Sequence, residues 1–145
     1  MAKGTGFLMN YGYKFAIKKG TQAEMKIGAG VTGVDPDNNE ETEDTYYYDG
    51  AGSATTDVTG FKMSYAFEGH RKYGDAAQDY IMGLANKTGP DRKVDDFIVT
   101  EPNGDKWNGP ATISDIKLPG GDANSKGEIE WTISYDGAPT FTAAV

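Results

Sequence analysis

Phe61, Met63, Tyr65 and Phe67 alternate with Lys62, Ser64, Ala66 and Glu68. A period of two over residues 58–67 fits a half-buried β-strand and excludes an amphipathic helix there. The strand leads through Gly69 to Gly74 into a helical pattern. Asp75 stands where an N-cap accepts from the first turn, Gln78 holds the capping-box position, and Ala77, Ile81 and Leu84 recur at helical spacing. A helix over 76–86 is predicted, ended by Gly89 and Pro90. Two more runs alternate: 11–18, with Tyr11, Tyr13, Phe15 and Ile17 on one face, and 128–135, with Ile129, Trp131, Ile133 and Tyr135 inside. Weaker strands are predicted at 23–27, 96–100, 111–118 (after an interruption at Pro110) and 140–142. Gly28, Gly30 and Gly33 mark a bulge or a strand end. Asp-Gly and Asn-Gly pairs, such as Asp49-Gly50 and Asn103-Gly104, supply the positive φ of tight turns. The 145 residues read as one mainly β domain with one helix.

Residues 35–56 break this pattern. Residues 35–44 hold six carboxylates and no apolar side chain except proline. Such a segment buries too little surface to order itself in a monomer, and structureless loops of this length tend to be functional. Tyr46, Tyr47 and Tyr48 follow it. Three adjacent tyrosines in a strand face both ways, so one at least is exposed or lies against something. The stretch reads as a solvated loop or as a docking arm. The tyrosines favour the arm, with Asp35, Asp37, Glu41, Tyr46, Tyr47, Tyr48 and Asp49 as subunit-interface residues. Residues 1–10 read as mobile, or as ordered only by a partner.

Catalytic chemistry is scarce. The absence of cysteine excludes disulfides and thiolate metal sites and suits a reducing cytoplasm. His70 is the sole histidine and sits beside Arg71 and Lys72, which favours a structural or surface role over catalysis. Asp35-x-Asp-x-Asn resembles a calcium loop but carries Glu40 where the loop needs glycine and Tyr46 where it needs glutamate. No phosphate or dinucleotide loop occurs, so no enzyme activity, metal or cofactor is expected. Phe7 to Met9 is the only apolar run near the N-terminus, too short for a signal core or a membrane span. A net charge of −8 disfavours nucleic-acid binding. The carboxylates either keep the protein in solution or line a surface along which an anion slides.

Over residues 30–90 the chain resembles the tail tube proteins of tailed bacteriophages, in particular the major tail protein of long non-contractile tails. The likeness rests on the acidic run from Asp35, Tyr48-Asp-Gly-Ala-Gly, Asp57-Val-Thr-Gly, Tyr65-Ala-Phe-Glu-Gly and Gly74-Asp-Ala-Ala-Gln-Asp-Tyr-Ile. It implies a two-sheet β-sandwich or partial barrel with one flanking helix. It also implies homo-hexameric rings stacked around a tape-measure protein, with other tail proteins as partners and DNA later passing through the lumen. The setting would be the virion tail, made in the cytoplasm of a bacterial host, with no membrane involved. Lys62, Ser64 and Glu68, on the polar side of the 58–67 strand, become the lumen candidates. Two other readings stand beside this one. The first is a β-sandwich binding module for a receptor or carbohydrate, using an exposed Trp107 and the tyrosine cluster. The second is an enzyme centred on His70.

Overall fold

The computed structural model describes residues 4–144, so residues 1–3 of the expected mobile N-terminus lie outside the described residues. Residues 4–9 carry no regular structure and Asn10–Gly12 form a 3-10 turn. Ten strands and one helix follow: β1 (Lys14–Lys18), β2 (Met25–Ile27), β3 (Val31–Asp37), β4 (Glu41–Tyr46), β5 (Ala54–Gly60), β6 (Ser64–His70), α1 (Ala76–Met82), β7 (Lys93–Thr100), β8 (Lys106–Gly120), β9 (Glu128–Tyr135) and β10 (Thr140–Thr142). The main sheet is antiparallel in the order β2-β1-β7-β8-β9-β6-β3, with β10 beside the start of β8. β4 and β5 form a second, two-stranded sheet.

Three strands separate β1 from β6 in the main sheet, yet Phe15 on β1 meets Phe67 on β6 edge-on at 5.1 Å. The sheet therefore curls until its two halves face each other, giving the sandwich or partial barrel with one flanking helix that the resemblance implies. Trp131 stacks on Phe67 at 5.4 Å, and Phe97 lies 5.2 Å from Tyr135. Each fully buried ring of this kind contributes roughly 2–3 kcal/mol. Ile81, Ala77 and Leu84 of the helical segment close one side of this core.

Several local expectations change. The strand expected over 58–67 is two strands, since β5 pairs with β4 while β6 pairs with β3 and β9. Alternation continues across the break although Phe61 is exposed and Met63 only half-buried, so period alone conceals the junction. The first strand starts at Lys14, because Asn10–Gly12 turn instead of extending. Both faces of β1 bury residues, Ala16 as well as Ile17. β8 runs straight through Pro110, which sits at the bulge where the β7 register shifts between Val94 and Phe97; a bulge tolerates the missing N–H. The bulge expected from the early glycines is present between Val31 and Gly33. There Gly69 lies so close to the opposite strand that a Cβ on it would stand 2.2 Å from the Gly30 carbonyl.

The helix stops at Met82, with Gly83 as its C-cap. Asp75 caps it as expected, its carboxylate accepting from the Gln78 N–H at 3.1 Å. Gln78 itself does not close a capping box. Its buried amide donates from Nε2 to the carbonyls of Ala29 (2.7 Å) and His70 (3.1 Å), and Oε1 accepts from the Lys72 N–H (2.7 Å). One side chain thus ties the helix to the loop before β3 and to the end of β6. Gln78→Leu keeps the volume but strands these partners, at about 1–3 kcal/mol per buried unsatisfied group. A fall in Tm on the order of 5–10 °C is expected in a thermal melt; an unchanged Tm would refute the account.

Two core tyrosines set the alkaline limit of the fold. Burial is the main cause that raises both phenols, Tyr65 to about 12 and Tyr135 further, with nearby phenols and carboxylates adding to it. The Tyr135 hydroxyl donates to the Phe97 carbonyl at 2.9 Å, a bond lost on ionisation. The ordinary value of 10.0 applies in the unfolded chain. A raised folded value means that the neutral phenols stabilise the fold fully below pH ~10 and that this contribution is lost as pH rises towards ~12. Urea midpoints should fall across that window, and Tyr65→Phe should flatten the fall.

Candidate assembly interface

The β4–β5 hairpin stands apart from the curled sheet. Its strands pair only with each other, and Thr45 and Gly60 alone among its strand residues are partly covered. The segment expected to lack structure is therefore mostly a hairpin, because its threonines and Val58 supply β-propensity that the acidic composition obscures. Asn39, at φ 47°, anchors the base. Its Nδ2 donates to the Lys62 carbonyl at 2.9 Å and to Ser64 Oγ at 3.0 Å, and the Lys62 N–H donates to the Asn38 carbonyl at 2.8 Å. At the tip, Tyr48–Gly50 form a 3-10 turn closed by Ala51 at φ 52°. Two-stranded hairpins are marginal alone in water.

The expected interface residues divide between two places. Asp35 and Asp37 lie on β3 within the main sheet, which also removes them from any calcium-type loop. Glu41 and Tyr46 lie on β4, while Tyr47, Tyr48 and Asp49 lie at the hairpin tip. All three tyrosines are exposed, Tyr48 completely. Of the lumen candidates, Glu68 projects from the outward face of β6. Ser64 is half-buried, its hydroxyl donating to the Asp37 carbonyl at 3.3 Å, and Lys62 lies in the linker between β5 and β6 rather than on a strand.

Sequence reasoning did not find the sheet edges. β3 ends the main sheet and no described strand covers its far side. β8 pairs with β7 only as far as Thr112 and from Ile113 onward with β9 alone. A four-strand segment, β8-β9-β6-β3, thus has an open edge on each flank. Its outward face holds a shallow groove of about 430 Å³ lined by Asp35, Glu68, Asp115 and Glu130 among others. Glu68 sits directly opposite Glu130, a pairing of like charges, and Lys117 lies beyond Glu130 in the same row.

The features behind the other readings differ from expectation. Trp107 is half-buried: its Nε1 donates to Glu101 at 3.0 Å and Phe141 packs 4.6 Å from its ring. It offers no exposed platform for a sugar. His70 ends β6 opposite Glu128. No described helix is long and apolar enough to cross a membrane.

No protein-family model and no curated protein matches the chain. Solved structures do. A chain from the tail of an empty gene transfer agent particle, determined by helical refinement in C6 symmetry, aligns with a TM-score of 0.74 at 20% identity, over 94% of this chain and 100% of that one. A chain of the virion of a native gene transfer agent particle gives 0.62 at 23% identity, over 89% and 95%. One from the sheath–tube complex of an extracellular contractile injection system in its extended state gives 0.60 at 19%, over 94% and 92%. At these identities the likeness is one of fold. Along nearly its whole length, this chain has the fold of phage-type tail tube proteins.

Proposed function

We propose that the protein is the structural subunit of a tail tube, assembling through its open sheet edges into stacked hexameric rings. The observation that carries this reading is the pair of free edges, on β3 and on the second half of β8, flanking one four-strand segment. Open edges are a hazard in a monomer, and ring closure removes both at once. Six copies, the number suggested by the C6 symmetry of the similar tail, would join these segments into a continuous barrel. Its outward face, with Asp35, Glu68 and Glu130, would then line the lumen, where a tape-measure protein would sit and DNA would later pass. Carboxylates there repel phosphate, so DNA would move without adhering. The assembled protein would belong to the virion tail after synthesis in the host cytoplasm, and its role would be mechanical rather than enzymatic.

Negative-stain micrographs of the concentrated protein test this. Rings or tubes with a central channel are expected; particles that stay monomeric at every concentration and salt, alone or with tail partners, would overturn it. A second test addresses the lumen. Glu68→Lys with Glu130→Lys should leave tubes intact but make them retain short duplex DNA in a co-sedimentation assay, where wild-type tubes retain none. Equal retention by both would remove Glu68 and Glu130 from the lumen.

A further inference from the structure

The hairpin and its immediate flanks, residues 38–61, carry six carboxylates and neither lysine nor arginine. Its two faces differ in chemistry. One presents Tyr46 and Val58, with Asp44 held by the Thr56 hydroxyl; the other places Glu43 directly opposite Asp57. Like charges facing each other across a ladder destabilise it. Among the described residues neither carboxylate is paired with a cation.

The opposite chemistry lies on the outward face of the main sheet. Lys14 and Lys18 on β1, Lys26 on β2 and Lys106 on β8 all project away from the core, since Phe15, Ile17, Ile27 and Trp107 alternate with them towards it. The register aligns them in rows: Lys26, Ala16, Ile98 and Asn108 form one, and Lys14, Thr100 and Lys106 the next. Ile98, half-buried, is the apolar residue at the centre of this face, with the buried Ala16 beside it. None of the four lysines forms an ion pair among the described residues. Asp96, directly opposite Lys18, is a carboxylate on the face and accepts from Asn108 Nδ2, which leaves Lys14, Lys26 and Lys106 with no carboxylate opposite them in the sheet among the described residues. In a chain of net charge −8, such a cluster of unpaired lysines awaits an acidic partner.

We propose that the Glu43–Asp57 face of the hairpin docks on the Lys14–Lys26–Lys106 face of a second copy of this chain. Dimensions agree. Strands of six residues reach about 20 Å, and four strands from β2 to β8 span about 14 Å. Docking neutralises the Glu43–Asp57 pair and covers a hairpin that is marginal on its own. This inference rests on the reading of the chain as a self-assembling subunit, and it names the partner surface for the arm.

Because the chain has no cysteine, disulfide trapping gives a clean test. The double variant Glu43→Cys with Lys106→Cys, oxidised at neutral pH, is expected to form a ladder of linked oligomers on a non-reducing gel. Each single variant should stop at dimer or below. Added salt before oxidation should weaken the ladder, because exposed charges are screened. A charge exchange gives a second readout: Glu43→Lys/Asp57→Lys and Lys14→Glu/Lys106→Glu each abolish assembly, and all four changes in one chain restore it. Tubes without a ladder, or reversals that assemble like wild type, overturn the docking and leave the tube reading standing. A ladder without tubes supports the docking and removes the tube. Neither ladder nor tubes overturns both. Duplex DNA captured by the lysine face, with no ladder, assigns that face to nucleic acid and also overturns the docking.

Discussion

Replacing Trp131 with alanine is expected to destabilise the fold by about 3–5 kcal/mol, the range for deleting a large buried ring. Trp131 is among the largest fully buried side chains and stacks on Phe67, which in turn meets Phe15 across the curled sheet. The lost ring would leave a cavity at the point where β9, β6 and β1 converge, and strands paired on both sides collapse poorly into such a space. Against a total stability of 5–15 kcal/mol for a domain of this kind, the loss is a large fraction. Trp131→Phe should behave differently. Trp131 Nε1 is buried and finds no acceptor among the described residues, and an unpaired buried donor costs about 1–3 kcal/mol. Phenylalanine removes that donor while keeping most of the stacking, so its net loss should stay under about 1.5 kcal/mol. Urea unfolding with matched slopes would measure both variants. An alanine variant within about 1 kcal/mol of wild type would show that the stacked aromatic pair does not hold the two halves of the sheet together.

Local pattern made the alternating elements legible. Ile129, Trp131 and Ile133 are all buried and lie on one strand, and Asp75 caps the helix as its position predicts. The partners of Gln78 were not legible, since Ala29 lies 49 residues away and no local rule brings a buried amide to it. The hairpin was misread for a different reason. Carboxylates dominated the composition of residues 35–56, while Thr42, Thr45, Thr55, Thr56, Val58 and Thr59, the β-branched residues of the two strands, carried the opposing signal. The lysine face was hidden for a third reason. Lys14, Lys26 and Lys106 are far apart in sequence and share a face only through the registers of β1, β2, β7 and β8. Exposure of at least one of Tyr46, Tyr47 and Tyr48 was legible because three neighbours cannot all face one core; all three are in fact exposed.

Removing the hairpin is expected to abolish assembly while leaving the subunit folded. Composition suggests a cut at residues 37–54, but that cut would delete the Asn39 anchor and leave β5 without its partner. The structural boundary is residues 40–61, with two glycines joining Asn39 to Lys62, whose carbonyl lies 2.9 Å from Asn39 Nδ2. The buried hydrophobic core includes no residue between Ile27 and Tyr65, so the excision removes none of it. Closing a long loop costs entropy that grows by about 0.6 kcal/mol per doubling of length. Shortening the connection should therefore offset the small loss from a marginal hairpin, and the Tm should match or exceed that of the full chain. Assembly should respond in the opposite direction. Without Tyr46, Tyr47, Tyr48 and the Glu43–Asp57 face, subunits keep their open edges on β3 and β8 but lose the arm that reaches a neighbour. Sizing should then give a monomer or an isolated ring, with no tubes in micrographs at concentrations where the full chain forms them. Tubes of normal length from the shortened chain would take the hairpin out of assembly and leave the sheet edges to hold the tube alone. A shortened chain that melts well below the full one would instead make the hairpin part of the fold's stability, against its lack of packing on the main sheet.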